Sequence, residues 1–143
     1  MTYEFFPSPA QATEAYPTLL VNAARCWNDA RIACAPVQPR LALFLSQYGG
    51  AILAPVLDSL MRCYEVALGR PLAVGADHDL SADETMLVGL ITGTAQRRAC
   101  LHCPEQAGMT LDCALCSARI MLALDQGRAM ACAAPEELPS RLH

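Results

Sequence analysis

The stretch Ser81-Ala82-Asp83-Glu84-Thr85-Met86-Leu87-Val88-Gly89-Leu90-Ile91 decides how the chain is read. A serine at a helix N-cap accepts from the backbone N–H three residues on, and a glutamate at that third position reaches back to the N-cap amide; Ser81 and Glu84 stand at this spacing. Asp83 and Glu84 place negative charge where the unpaired N–H groups of a helix start are most positive. Leu80, just before the cap, is placed as the hydrophobic staple. Behind the cap, Met86, Leu87, Leu90 and Ile91 return at the spacing of one helix face, not in the alternation of a half-buried strand. The pattern predicts a helix from Ala82 to Arg97 or beyond. Gly89 and Gly93, four apart, would allow a neighbouring helix to approach closely.

The same period governs the rest. Ser8-Pro9-Ala10-Gln11 carries an N-cap serine, proline at the first helical position and glutamine at the third, so a helix starts there. Pro17 is expected to interrupt or restart it. From Thr18, the residues Leu20, Ala23, Ala24, Trp27 and Ala30 form one face, and Pro36 with Pro39 mark a linker. A helix follows from Arg40 to Leu68 on the stripe Leu41, Leu45, Tyr48, Ile52, Val56, Leu60, Cys63, Ala67. Gly49-Gly50 and Pro55 are expected to kink or split it, and Gly69 suits the left-handed position after its end. Leu72 to Leu80 reads as a loop, as does Pro104 to Thr110. Asp112 or Thr110 would cap a last helix from Leu111 to Gly127, with Leu115, Ala118 and Leu122 on one stripe and Cys113, Cys116, Ile120 and Leu124 on another. The expected fold is an all-α, single-domain bundle of four to five helices over residues 1–134, with a flexible tail at 135–143 that carries Pro135 and Pro139.

Ala67-Leu68-Gly69-Arg70-Pro71-Leu72-Ala73-Val74, followed by Leu80-Ser81-Ala82-Asp83-Glu84, resembles a segment of uncharacterised small all-helical bacterial proteins. The likeness covers a short middle part of the chain. It implies a helical fold and no assigned activity, and it carries over no functional residue.

Composition removes several functions. The chain has 143 residues, 54% hydrophobic and 17% charged, enough apolar material for its own core. All ten basic residues are arginine. Without lysine there is no Schiff-base chemistry, no Walker A phosphate loop and no lysine general base; GC-rich coding, which favours Arg and Ala, accounts for the bias. A net charge of −4, with no basic cluster beyond Arg97-Arg98, argues against nucleic acid. Met1-Thr2-Tyr3-Glu4-Phe5-Phe6-Pro7 lacks the basic start of a secretory signal, so the eight cysteines are expected as reduced thiols in a cytoplasmic protein. The uncharged run Leu41–Leu57 is short for a membrane span and holds Gly49, Gly50 and Pro55, so it reads as a core helix and no membrane partner is expected.

The strongest chemical signal is Cys100-Leu-His-Cys103, nine residues, then Cys113-Ala-Leu-Cys116. Thiols at i and i+3 can point one way, and two such pairs can form a tetrahedral thiolate site for a structural zinc. Cys100 and Cys103 would close one helix; Cys113 and Cys116 would open the next, where the helix N-terminus favours thiolate. Iron–sulfur clusters use four cysteines too, and His102 could replace a thiol. The nine-residue separation is shorter than in zinc ribbons, and neither knuckle carries glycine.

Two alternatives stand beside zinc. Cys100-Leu-His-Cys103 resembles the Cys-x-His-Cys sites of thioredoxin-like oxidoreductases, which would make Cys100 a nucleophile and Cys103 its resolving thiol. Those sites open a helix after a strand, whereas this one closes a helix. The other alternative is a metal-free bundle with cysteines packed as small hydrophobes, as Cys26, Cys34, Cys63 and Cys132 suggest. Asp77-His78-Asp79 with Asp83-Glu84 could hold a divalent cation, or be a solvated loop and a helix cap. The leading expectation is an interaction or regulatory module, non-enzymatic, tied by zinc at Cys100, Cys103, Cys113 and Cys116. A homodimer through the Gly89/Gly93 face or the Leu41–Leu57 helix, or an unknown protein partner, would complete it.

Overall fold

In a computed structural model, which describes the backbone of residues 9–133 and the side chains of residues 17–125, the helix opened by Ser81 runs Ala82–Thr92. Ser81 Oγ accepts from the Glu84 amide at 3.0 Å and Glu84 Oε1 accepts from the Ser81 amide at 2.9 Å, which is the expected capping box. Leu80 is half exposed and does not act as a staple. The helix stops at Thr92, short of Arg97, because Gly93 takes a left-handed φ of 85° and the chain folds back, the Ala95 amide donating to the Gly89 carbonyl at 3.0 Å. A Cβ on Gly89 would come to 2.9 Å from that of Ala95. The two glycines therefore serve the helix's own end and not a neighbouring helix.

In chain order the helices are α1 (Pro9–Ile32), α2 (Val37–Ser46), α3 (Ala54–Leu68), α4 (Ala82–Thr92), α5 (Arg97–Cys100) and α6 (Glu105–Ala133), with a 3-10 turn at Ala51–Leu53. The described residues hold no strand, only an isolated bridge between Ala76 and Asp79. The all-α bundle is as expected, with six helices among the described residues where four to five were predicted. The Ser8 cap and the 135–143 tail lie outside the described residues.

α1 is continuous through Pro17, against the expected break. Its stripe Leu20, Ala23, Ala24, Trp27 and Ala30 is buried as predicted. The helical stretch from Arg40 to Leu68 is split, as expected, between Gly49 and Pro55. α2 starts earlier, at Val37, and takes in Pro39; Gly49 turns the chain with a φ of 73°, and Pro55 sits in the first turn of α3, where its missing N–H costs nothing. Leu53, Ala54, Leu57, Leu60, Met61, Tyr64 and Ala67 are the buried set beyond the break, while Tyr48 and Ile52 of the predicted stripe face solvent. Gly69 closes α3 in the left-handed region, as expected.

Every helix longer than one turn contributes to one core around Trp27, Tyr64, Leu87 and Leu111. Its polar pins are carboxylates. Asp58, 4% exposed, accepts from Trp27 Nε1 at 2.8 Å, Gln38 Nε2 at 2.9 Å and Arg62 Nε at 2.9 Å, joining α1, α2 and α3. Glu84 is fully buried and takes both arms of Arg25 on α1, at 2.8 and 3.1 Å, together with the amides of Gly75 and Ser81. Asp83 takes both arms of Arg70 at 2.6 and 2.7 Å and the Ala73 amide at 2.9 Å. Tyr64 Oη donates to the Asp83 carbonyl, and burial pushes its phenol up. Gly75 is needed here: a Cβ would come to 2.0 Å from the Asp79 carbonyl oxygen and 2.9 Å from Glu84 Oε1.

Two predictions follow from these pins. Glu84→Gln removes the charge that pairs with Arg25 and leaves its other donors mismatched, and should cost about 3 kcal/mol in denaturant unfolding. Arg25→Lys keeps the charge but loses the fork and should cost about 1–2 kcal/mol.

The carboxyl groups also set the acid response. Burial disfavours ionised Asp58 and Glu84, yet hydrogen bonds from Gln38 and Trp27 and the Arg62 charge, and from Arg25, Ser81 and Gly75, hold both below the ordinary carboxylate range. The Arg70 fork does the same for Asp83. Groups depressed in the folded state supply stability that is complete above their unfolded pKa, about 4, and drains as pH falls through their folded values. Melting temperature should therefore plateau above about pH 5 and fall steeply below about pH 4; a flat profile into stronger acid would contradict the pins.

Candidate functional site

The four cysteines of the double CxxC pattern sit around the junction of α5 and α6. Cys100 is the last residue of α5, exposed, and its thiol donates to the Gln96 carbonyl at 3.1 Å. Leu101, 8% exposed, anchors the connection in the core, and His102 next to it faces solvent. Cys103 is half buried, with its Sγ 3.8 Å from the Arg97 Nη1 donor. Arg97 also donates from Nε to Asp112 Oδ1 at 2.7 Å, tying α5 to α6. Gly108 makes room for it, since a Cβ there would come to 2.2 Å from Arg97 Nη1.

α6 begins at Glu105, directly after Pro104, and not at Leu111. Of the predicted loop from Pro104 to Thr110, all but Pro104 is helix. This moves Cys113 and Cys116 into the third and fourth turns, away from the N-terminal field expected to favour their thiolates. Both are exposed. Among the described residues no group of three or more His, Cys, Asp or Glu is placed to hold a metal ion. Asp77, His78 and Asp79 are exposed, and the carbonyls of Asp77 and Asp79 accept from Arg25 at 2.7 and 3.4 Å. Asp83 and Glu84, read from sequence as helix-start acids or cation ligands, do stand in the first turn of α4 and are in addition the arginine-bound pins of the core.

The alternative of cysteines as packing residues holds in part, since Cys26, Cys63 and Cys103 pack against the core. None of the seven described cysteines is buried; Cys26, Cys63 and Cys103 are partly covered and Cys34, Cys100, Cys113 and Cys116 are exposed. Burial pushes the Cys26 and Cys63 thiols up. Cys132 lies where side chains are outside the described residues.

The two stripes predicted for the last helix have opposite fates. Leu111, Leu115, Ala118 and Leu122 are buried, packed with the core. Met109, Cys113, Cys116, Ile120 and Leu124 all face outward, with Met109 57%, Ile120 55% and Leu124 59% exposed. Steps of four, three, four and four residues put these five on one face, about 22 Å long at 1.5 Å per residue. At its start, Glu105, Gln106, Met109, Thr110 and Cys113 line a shallow groove of about 480 Å³. On its α4 side, Arg119 donates from Nε to the Ile91 carbonyl at 3.0 Å and from Nη2 to the Leu90 carbonyl. A guanidinium on the last carbonyls of α4 completes that helix's end and locks α6 in rotation about its axis.

An apolar helix with one covered face is unusual in its balance. Glu105–Asp125 is long and apolar enough to cross a membrane by length and composition, with mean hydropathy 1.4, and 28% of that window is buried. The segment expected to be the hydrophobic candidate, Leu41–Leu57, is broken by Gly49. The sequence offers Cys113, Cys116, Ile120 and Leu124 as one of two stripes, with its cysteines as zinc ligands or, alternatively, as core packing. What it lacked was any signal for which stripe α3 would cover. No protein-family model, no curated protein and no solved structure matches the chain.

Proposed function

We propose that the protein is a helical interaction module whose working surface is the outer face of α6. The observation that carries this reading is the exposed row Met109, Cys113, Cys116, Ile120, Leu124 on the Glu105–Asp125 segment, of mean hydropathy 1.4. Single exposed apolar residues are ordinary on protein surfaces; a contiguous row along four turns marks an interaction site. The row is also held rigidly. Arg119 fastens α6 to the end of α4, Arg97 fastens it to α5, and the Leu111–Leu122 stripe seats it on the core. A surface presented on a fixed helix loses little conformational entropy on docking.

Thiol footprinting tests the reading. In cells producing the chain, a brief N-ethylmaleimide pulse followed by site-resolved mass spectrometry should label Cys113 and Cys116 several-fold more slowly than in the dilute purified protein. Cys34, exposed beyond the end of α1, should label alike in both and serves as the internal reference. Ile120→Glu should abolish the protection without lowering the melting temperature, since this side chain is half exposed in the single chain. Equal labelling of Cys113 and Cys116 in cells and in dilute solution would sink the proposal.

A further inference from the structure

We infer that the occupant of the α6 face is a second copy of this chain, docked antiparallel with α6 against α6. The inference rests on the reading of that face as an interaction surface and adds its partner. The first four residues of the row, continued by Ala123 beside Leu124, have the period of a helix–helix seam. Met109, Cys113, Cys116, Ile120 and Ala123, all exposed, follow steps of four, three, four and three, the repeat that keeps one seam turned toward a partner helix. The inner stripe of α6 is already spent on the core, so this seam is a second one on the same helix.

Charge selects the partner. Asp112 and Arg119 flank the seam on its α4 side, seven residues apart, at equivalent positions of successive repeats. In an antiparallel pair such flanking rows face each other across the two-fold axis. The register that seats Cys113 on the partner's Cys116 and Ile120 on the partner's Met109 brings Asp112 within about 3 Å of axial offset from the partner's Arg119. It does so twice, because an isologous interface repeats every contact. Both groups keep capacity for this. Arg97 occupies Asp112 Oδ1 and leaves Oδ2; the α4 carbonyls occupy Arg119 Nε and Nη2 and leave Nη1. The small thiols at the centre let the helices approach closely, while Ile120 and Met109 close the ends. A hydrocarbon environment fits this face less well, since Asp112 and Arg119 would be carried into it at mid-length.

Sedimentation equilibrium of the full chain in reductant, from micromolar to near-millimolar concentration, should show a reversible dimer. Ile120→Glu should weaken it at least about tenfold. The register is read by oxidation with diamide, in which two thiols give two protons and two electrons to the azo bond, yielding a disulfide and a hydrazine. Chains carrying Cys113→Ser mixed with chains carrying Cys116→Ser should form covalent dimer faster than either variant alone, because only the mixture offers Cys113 opposite Cys116. Cross-linking of each variant alone as fast as the mixture would point to a parallel pair and overturn the proposal. So would a monomer at every concentration. A monomer that binds phosphatidylcholine–phosphatidylglycerol vesicles through the same face would assign it to lipid instead. In the monomer case the in-cell footprint separates the two readings: persistent protection of Cys113 and Cys116 keeps the interaction surface and rejects only the second copy.

Discussion

Two adjacent carboxylates, Asp83 and Glu84, organise this bundle. They lie in the first turn of α4, and each is grasped by a forked arginine from elsewhere in the chain, Arg70 after α3 and Arg25 on α1. Burying a carboxylate is costly unless it is paired and its lone pairs are filled. Here the remaining lone pairs take the amides of Ala73, Gly75 and Ser81, so the loop between α3 and α4 is bound to the same two residues that start the helix. The position of α4 follows from this, and with it the position of the Leu90 and Ile91 carbonyls that Arg119 holds. The orientation of α6, and hence of its exposed row, descends from the acids at residues 83 and 84.

Much of the architecture was legible because it is local. The capping box at Ser81 and Glu84, the left-handed glycine at position 69 and the Trp27 face of α1 each depend on residues within a few positions of one another. The failures share a cause of the opposite kind. Glu84 looked like an ordinary cap acid because its partner Arg25 lies 59 residues away, a distance no period detects. The stripe failed at Tyr48 and Ile52 because α2 ends at Ser46 and Gly49 turns the chain, while Leu60 and Ala67 beyond the break stay on the buried face. The two stripes of α6 are equally apolar; only the packing of α3 decides that Leu111 and Leu115 go inward while Cys113 and Cys116 go out. For the second cysteine pair the error lay in the helix start, expected at Leu111. Once α6 begins at Glu105, Cys113 and Cys116 move off the helix terminus and around to its outer side.

The absence of lysine gains a structural sense in this light. Arg25 and Arg70 each meet a carboxylate with two donors, Arg31 lies 4.5 Å over the Trp27 ring while pairing with Glu65, and Arg97 bridges a thiol and a carboxylate. A point-charge ammonium matches none of these geometries as well as a planar fork. The fold uses the shape of arginine at the joints between helices.

The span of the Arg25–Glu84 contact has a consequence for how the chain reaches this structure. Helical contacts are local, whereas a link across 59 residues is expected to form only once α1, α2 and α3 have collapsed and brought their ends together. A contact completed after the folding barrier holds the native state against opening and does little to hasten its formation. The acids of α4 are thus expected to set the lifetime of the folded chain, while the helices themselves set the speed at which it assembles.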